Sequence, residues 1–154
     1  MKTIDLDQAI HVIGIELRTT NEEAFQTIPL HWKRFTEEDV SGRIAGKQSG
    51  DVYAVYTHFQ NAGQNNQGLY SLVLGVPVDA AAAVPQGFTR VVVPASLRAV
   101  FPVQKGRFDL VGATWQEIWQ QGDLAKTFIA DVERYRPGGE IDILIGIERE
   151  AAIA

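Results

Sequence analysis

Two successive strand-helix-strand-strand units, joined into one antiparallel sheet with both helices on one face, form the α+β fold that this sequence predicts. Three observations carry the prediction. The stretch Tyr70–Val76 (YSLVLGV) agrees with Ile141–Ile147 (IDILIGI) in type and order at all but the first two positions, which marks an internal repeat. Each copy follows an amphipathic helical stretch and a strand in the same order. An alanine run, Ala80 to Ala83, and the turn Val84-Pro85-Gln86-Gly87 separate the two units. The expectation is one domain over residues 1–154, with half-repeats at about 1–80 and 86–150 and a ligand groove at the pseudo-twofold axis, where both halves supply walls.

Residues 9–18 (AIHVIGIELR) form the first expected strand. Thr20, followed three residues later by Glu23, is a capping-box signature for a helix over about 21–38. The spacing of Phe25, Ile28, Trp32 and Phe35 places them on one helical face, and Pro29 among them implies either a kink or a second helix start. Lys33-Arg34 and Glu37-Glu38-Asp39 read as a solvated helix end, and Gly46 to Gly50 as a loop into the next strand. Strands are expected at 51–59 and 69–78, separated by the polar loop Gln60 to Gly68. In the second half, 89–104 reads as one long strand in which Pro94 signals an edge or a bulge. Asp109 is the expected cap of a helix over about 110–121 with Val111, Trp115 and Ile118 on its buried face, and strands follow at 127–136 and 140–148.

The chain has 154 residues, 45% of them hydrophobic and 21% charged, enough to bury a core. It has no cysteine, which excludes disulfides, thiol nucleophiles and thiolate metal sites, and makes a reducing cytoplasm the expected location. No leader and no membrane span are read from it, because no apolar run approaches the roughly 18 residues that a span needs. A formal charge of -5 disfavours direct binding to nucleic acid and favours cationic ligands. His11, His31 and His58 are scattered singly and read as surface or half-buried residues, so neither a metal site nor a cofactor is expected. The stretch Gly46-Lys47-Gln48-Ser49-Gly50 lacks the earlier glycine and the Ser or Thr after lysine that a phosphate loop requires.

The residues with chemistry lie mostly in the last third. Side chains alternate between the faces of a strand, so Val132 points into a core while Glu133 and Tyr135 share the other face. A carboxylate beside aromatic surface is suited to holding a cation. Tyr53 and Tyr56 lie an odd number of positions apart, so at most one of them faces the cavity, and Tyr56 is the one assigned to it. Trp115 and Trp119, at helical spacing, read as core residues on periodicity alone. No nucleophile-base constellation is present, and no catalytic residue is assigned.

Six stretches in order resemble the GyrI-like, or AraC-type, effector-binding family: Leu30 to Phe35, Val52 to Thr57, Val93 to Ala95 with Ala99 to Phe101, Thr114 to Trp119, Glu133 to Tyr135, and Gly139 to Ile143. The resemblance spans nearly the whole chain, and is strongest to stand-alone members such as the drug-binding proteins of integron cassettes. It implies a central cavity, with Glu133 as the acidic group that meets cationic, often lipophilic ligands, and it brings Trp115, and with less weight Trp119, into the cavity wall beside Tyr56 and Tyr135. Arg98 stands where the family tends to have tyrosine, His58 where aspartate is common and Leu144 where an aromatic residue is frequent. These departures imply a less aromatic cavity, and Arg98 would oppose a cation if it faced inward.

The function expected is therefore binding of amphipathic organic cations or drugs. Two alternatives belong to other classes: hydrolysis of reactive electrophiles, as in some relatives, with Glu133 directing a water, or a protein-interaction module working with a transcription factor or as a homodimer.

Overall fold

Eight strands join edge to edge in one antiparallel sheet in the computed structural model, which describes residues 1–149. The end of the expected second half, at 150, and residues 151–154 of the expected domain lie outside the described residues. In chain order the elements are β1 (Thr3–Leu6), β2 (Ile10–Thr19), α1 (Ala24–Glu37), β3 (Val52–Thr57), β4 (Tyr70–Val78), β5 (Thr89–Val93), β6 (Ser96–Val103), α2 (Val111–Gln120), β7 (Lys126–Tyr135) and β8 (Ile141–Ile147). The sheet order is β1-β6-β8-β7-β3-β4-β2-β5. Exchanging β1 with β5, β2 with β6, β3 with β7 and β4 with β8 returns the same order read from the other edge. The pseudo-twofold axis therefore passes between β7 and β3, and both strands paired there come from the middle of their halves.

Each half donates its edge strand to the other. β1 pairs with β6, and β5 pairs with β2. The expected long strand over 89–104 is accordingly two strands at opposite ends of the sheet, broken at Pro94-Ala95, where proline has no N–H to continue a ladder. The expected edge position holds for β5. The two-residue link has a second consequence. β5 and β6 stand six positions apart in the sheet order, which in a flat sheet is roughly 29 Å at about 4.8 Å per strand. Three Cα steps reach only about 11 Å. The sheet must curl until its two ends meet, and one apolar cluster duly joins Val91 and Val93 of β5 to Ile4 and Leu6 of β1.

The other face carries both helices. Residues of β3, β7 and β8 in one register row, Ala54, Glu133 and Ile143, mark that face. Phe35, with Ile28 and Trp32, seals α1 onto Ile13, Ile15, Leu72 and Leu74 of the first half. Ile118, with Val111 and Trp115, seals α2 onto Ala99, Ile141, Ile143 and Ile145 of the second. Tyr135 packs against both clusters and so bridges the seam between the helices. In the first half β2 and β4 approach so closely at the paired glycines Gly14 and Gly75 that a Cβ on Gly75 would lie 2.1 Å from the Ile13 carbonyl oxygen.

Four local expectations are corrected or decided. Thr20 Oγ1 accepts the Glu23 N–H at 3.3 Å, but a turn over 21–23 intervenes and α1 begins at Ala24, with no reciprocal bond from the glutamate side chain. The helix then runs unbroken through Pro29, which is not a second start. Asp109 does not cap α2. It lies in a 3-10 turn, Phe108–Leu110, and its carboxylate is held by the Arg107 guanidinium at 2.8 and 2.9 Å. His31 is buried, not at the surface: its Nε2–H donates to the Ile15 carbonyl at 3.0 Å, and burial lowers its pKa, which favours the neutral ring. No helix among the described residues is long and apolar enough to cross a membrane.

Candidate functional site

Glu133 sits at the middle of the sheet, in β7 between Ala54 of β3 and Ile143 of β8, under the seam between the two helices. Its side chain is only 2% exposed. The alanine directly opposite leaves room for Tyr56, two residues along β3, to reach across diagonally. The Tyr56 hydroxyl donates to Glu133 Oε2 at 2.7 Å, and the indole Nε1–H of Trp115, lowered from α2, donates to the same oxygen at 2.7 Å. The Tyr135 hydroxyl, from the same face of the same strand, donates to Oε1 at 2.5 Å. Four of the residues singled out in the sequence thus form one hydrogen-bonded cluster. Tyr53 lies on the other face of β3, among Val55, Val73 and Val132, as its odd spacing from Tyr56 requires.

The cluster sets the charge of the carboxylate. Burial pushes the Glu133 pKa up, while bonds from Tyr135, Tyr56 and Trp115 pull it back; burial is the larger effect, and the net shift is upward. The neighbouring phenols move the same way. Burial and the nearby carboxylate raise Tyr56 well above the ordinary phenol range, raise Tyr70 to about 12, and raise Tyr135 as well. All three stay protonated and can only donate to an anion beside them. Among the described residues no ion pair includes Glu133, so its partners are neutral dipoles.

Above the carboxylate lies a cavity of about 940 Å³ between the helices and the sheet. This is at the upper end of the range for small-molecule sites. Tyr56, Trp115, Tyr135, Glu133 and Trp119 all line it. Phe25, Phe108 and Trp119 line it while remaining 74%, 64% and 49% exposed, which makes them the rim of its mouth. Aromatic contacts tie wall to wall: Tyr56 meets Trp115 at 5.1 Å and 64°, Tyr135 meets Trp32 at 5.3 Å and 81°, and Phe108 stacks on Tyr135 at 5.9 Å and 19°.

The sequence reading missed part of this wall. Trp32, Phe35, Phe59 and Tyr70 also line the cavity, although the spacing of Trp32 and Phe35 marks only a buried helix face. Asp131 lines it too. It stands one alternation before Glu133 on the same strand face, and that period of two was the available signal. Leu144 packs on the helix-free face with Val100 and Val132, so the residue at this position does not form part of the cavity wall. Arg98 shares that face, in the row of Gly146, and does not point at the cavity. Its guanidinium donates to Ser96 Oγ and to the carbonyls of Ala130 and Leu144. His58 follows the last residue of β3, at φ 50°, and does not line the cavity.

Solved structures share this architecture. An integron cassette protein from the mobile metagenome of Vibrio cholerae superposes with a TM-score of 0.73 at 16% identity, covering 96% of this chain and 95% of its own. SAV2435, whose structure was solved bound to tetraphenylphosphonium, superposes with a TM-score of 0.73 at 17% identity, covering 98% of this chain and 95% of its own. No curated protein matches the sequence. The family of integron-associated effector binding proteins matches over residues 3–147, so the strand order, the two helices on one face and the sequence agree, and this chain belongs to that family.

Proposed function

We propose that the protein binds lipophilic organic cations in the cavity between its helices and sheet, with Glu133 as the counter-charge. The whole chain acts as one binding unit whose two halves meet at that residue. One observation carries the reading: a buried carboxylate held by three neutral donors and no cation, beneath a largely aromatic cavity of about 940 Å³. A cation entering the cavity recovers the charge interaction that Glu133 lacks, and desolvation strengthens it. Aromatic faces add about 0.5–2 kcal/mol per cation-π contact. That SAV2435 holds tetraphenylphosphonium in a similarly folded chain supports the same ligand class here.

The three donors also favour binding over hydrolysis. They occupy three of the roughly four lone-pair sites of the carboxylate, sites that a general base would turn toward a water. The test is equilibrium binding of a lipophilic dye cation and its neutral isostere to the wild type and to Glu133→Gln. The expected result is tight binding of the cation to the wild type alone; equal affinities in all four combinations contradict the proposal.

A further inference from the structure

Asp131 is a buried acid that the three-donor cluster does not use. It is 7% exposed, lines the same cavity as Glu133, and lies two residues before it on one strand face, about 7 Å away along the backbone. The bulge in β7, between Lys126 and Asp131, allows its Oδ1 to accept the backbone N–H of Gly146 at 3.0 Å. Its Oδ2 accepts no hydrogen bond among the described residues. Neither nearby cation forms an ion pair with it among the described residues. Arg98 reaches the bulge from the opposite face and turns its Nε and Nη1 to Ser96 and two carbonyls, and Lys126, though at the cavity wall, makes no ion pair with Asp131.

The two carboxylates therefore differ in what they can accept. Glu133 already receives three hydrogen bonds and suits a diffuse charge that brings no N–H. Asp131 has an oxygen open for a donor. We infer that Asp131 forms a second, polar subsite that accepts the N–H of a protonated amine, so that the preferred ligands carry an ammonium group on a short arm beside a lipophilic cationic head. This inference rests on the cation-binding reading and adds a ligand class to it. Lys126 narrows the class further, because its ammonium repels a second cation placed on its side of Asp131 and leaves the Glu133 side for the amine.

The experiment compares aminobutyl-triphenylphosphonium with butyl-triphenylphosphonium, which lacks the amine, by calorimetric titration of the full chain. Near neutral pH the wild type should bind the amine-bearing compound at least about tenfold more tightly, the scale of one charge-assisted hydrogen bond. Asp131→Asn should bring the ratio toward one. A second readout needs no variant. Glu133 on β7, Tyr56 on β3, Lys126 and the more distant Arg98 surround Asp131, and burial raises its pKa to about 6 against the pull of the Gly146 N–H, Arg98 and Lys126. The preference of the wild type should thus fade as pH falls through about 6. A ratio of one or less in the wild type, or a ratio indifferent to pH and to Asp131→Asn, overturns the inference. Binding of the butyl compound without any preference overturns this inference alone, whereas failure of both compounds to bind overturns the cation reading with it.

Discussion

Tyr56 and Glu133 occupy equivalent positions in the two halves of the chain and are joined by a 2.7 Å hydrogen bond. Tyr56 pairs with Leu72, and Glu133 pairs with Ile143, the residue that matches Leu72 in the internal repeat. Duplication thus places two side chains facing each other at the axis, and divergence has made one the acid and the other its donor. Two like carboxylates at this spacing would repel, whereas a phenol and a carboxylate attract. The site is polar at its centre because the symmetry is broken there.

Tyr56→Phe and Trp115→Phe each keep an aromatic ring and remove one donor from Glu133 Oε2. Each donor holds the folded-state pKa of Glu133 down, so its removal raises that pKa further. The stability lost is present only where Glu133 is ionised and disappears as pH falls through its folded-state value. Urea unfolding at neutral pH should show a loss of about 1–3 kcal/mol for each variant, smaller in acid. Tyr53→Phe, on the opposite face, should leave the affinity for the cation unchanged.

Asp131→Asn should stabilise the protein at neutral and higher pH. Burial raises the folded-state pKa of Asp131 to about 6, so the unfolded chain loses this proton at a lower pH than the folded chain. Stability then falls as pH rises from the ordinary aspartate range through about 6. A shift of that size corresponds to up to about 3 kcal/mol, and Asn can still accept the Gly146 N–H. Thermal melts of the two proteins should coincide in acid, diverge as pH rises from the ordinary aspartate range through about 6, and keep a constant separation above it; a variant less stable at every pH contradicts this account.

Trp119→Ala should weaken binding of aromatic cations severalfold with little change in melting temperature. Its ring is half exposed at the mouth and meets Trp115 at 6.2 Å, so it offers surface to a ligand while contributing little to the core. A loss of about 0.5–1 kcal/mol of binding is the scale of an exposed cation-π contact. A large drop in melting temperature would assign Trp119 to packing instead.

Much of this fold is legible because strands announce themselves by alternation or apolar runs. The expected strands near β2, β3, β4, β7 and β8 depart from the observed ones by only one or two residues at most ends. The edges are less legible. β1 has four residues and a mixed burial pattern, and its partner β6 lies over ninety residues away in sequence. The break between β5 and β6 follows from curling of the whole sheet, which no local window encodes. At the site, parity alone groups Glu133 with Tyr135 and separates Tyr53 from Tyr56. Trp32 is different in kind: a helix residue facing a filled core and one facing a cavity have the same spacing, so periodicity does not separate them. Asp131 could have been read from the same alternation that exposed Glu133.

The most direct test of the central claim is the pH dependence of tetraphenylphosphonium binding to the wild type and to Glu133→Gln, measured by calorimetry in two buffers of different ionisation enthalpy. Burial raises the pKa of Glu133 in the free protein, and a bound cation must pull it down, so binding releases protons near the free-state value. The account predicts that wild-type affinity weakens as pH falls through that value and levels off above it, with measurable proton release. Glu133→Gln should bind more weakly and lose that component of the curve. A wild-type profile that is flat across mildly acidic pH, with no proton exchanged and the same affinity as Glu133→Gln, would contradict the assignment of Glu133 as the counter-charge.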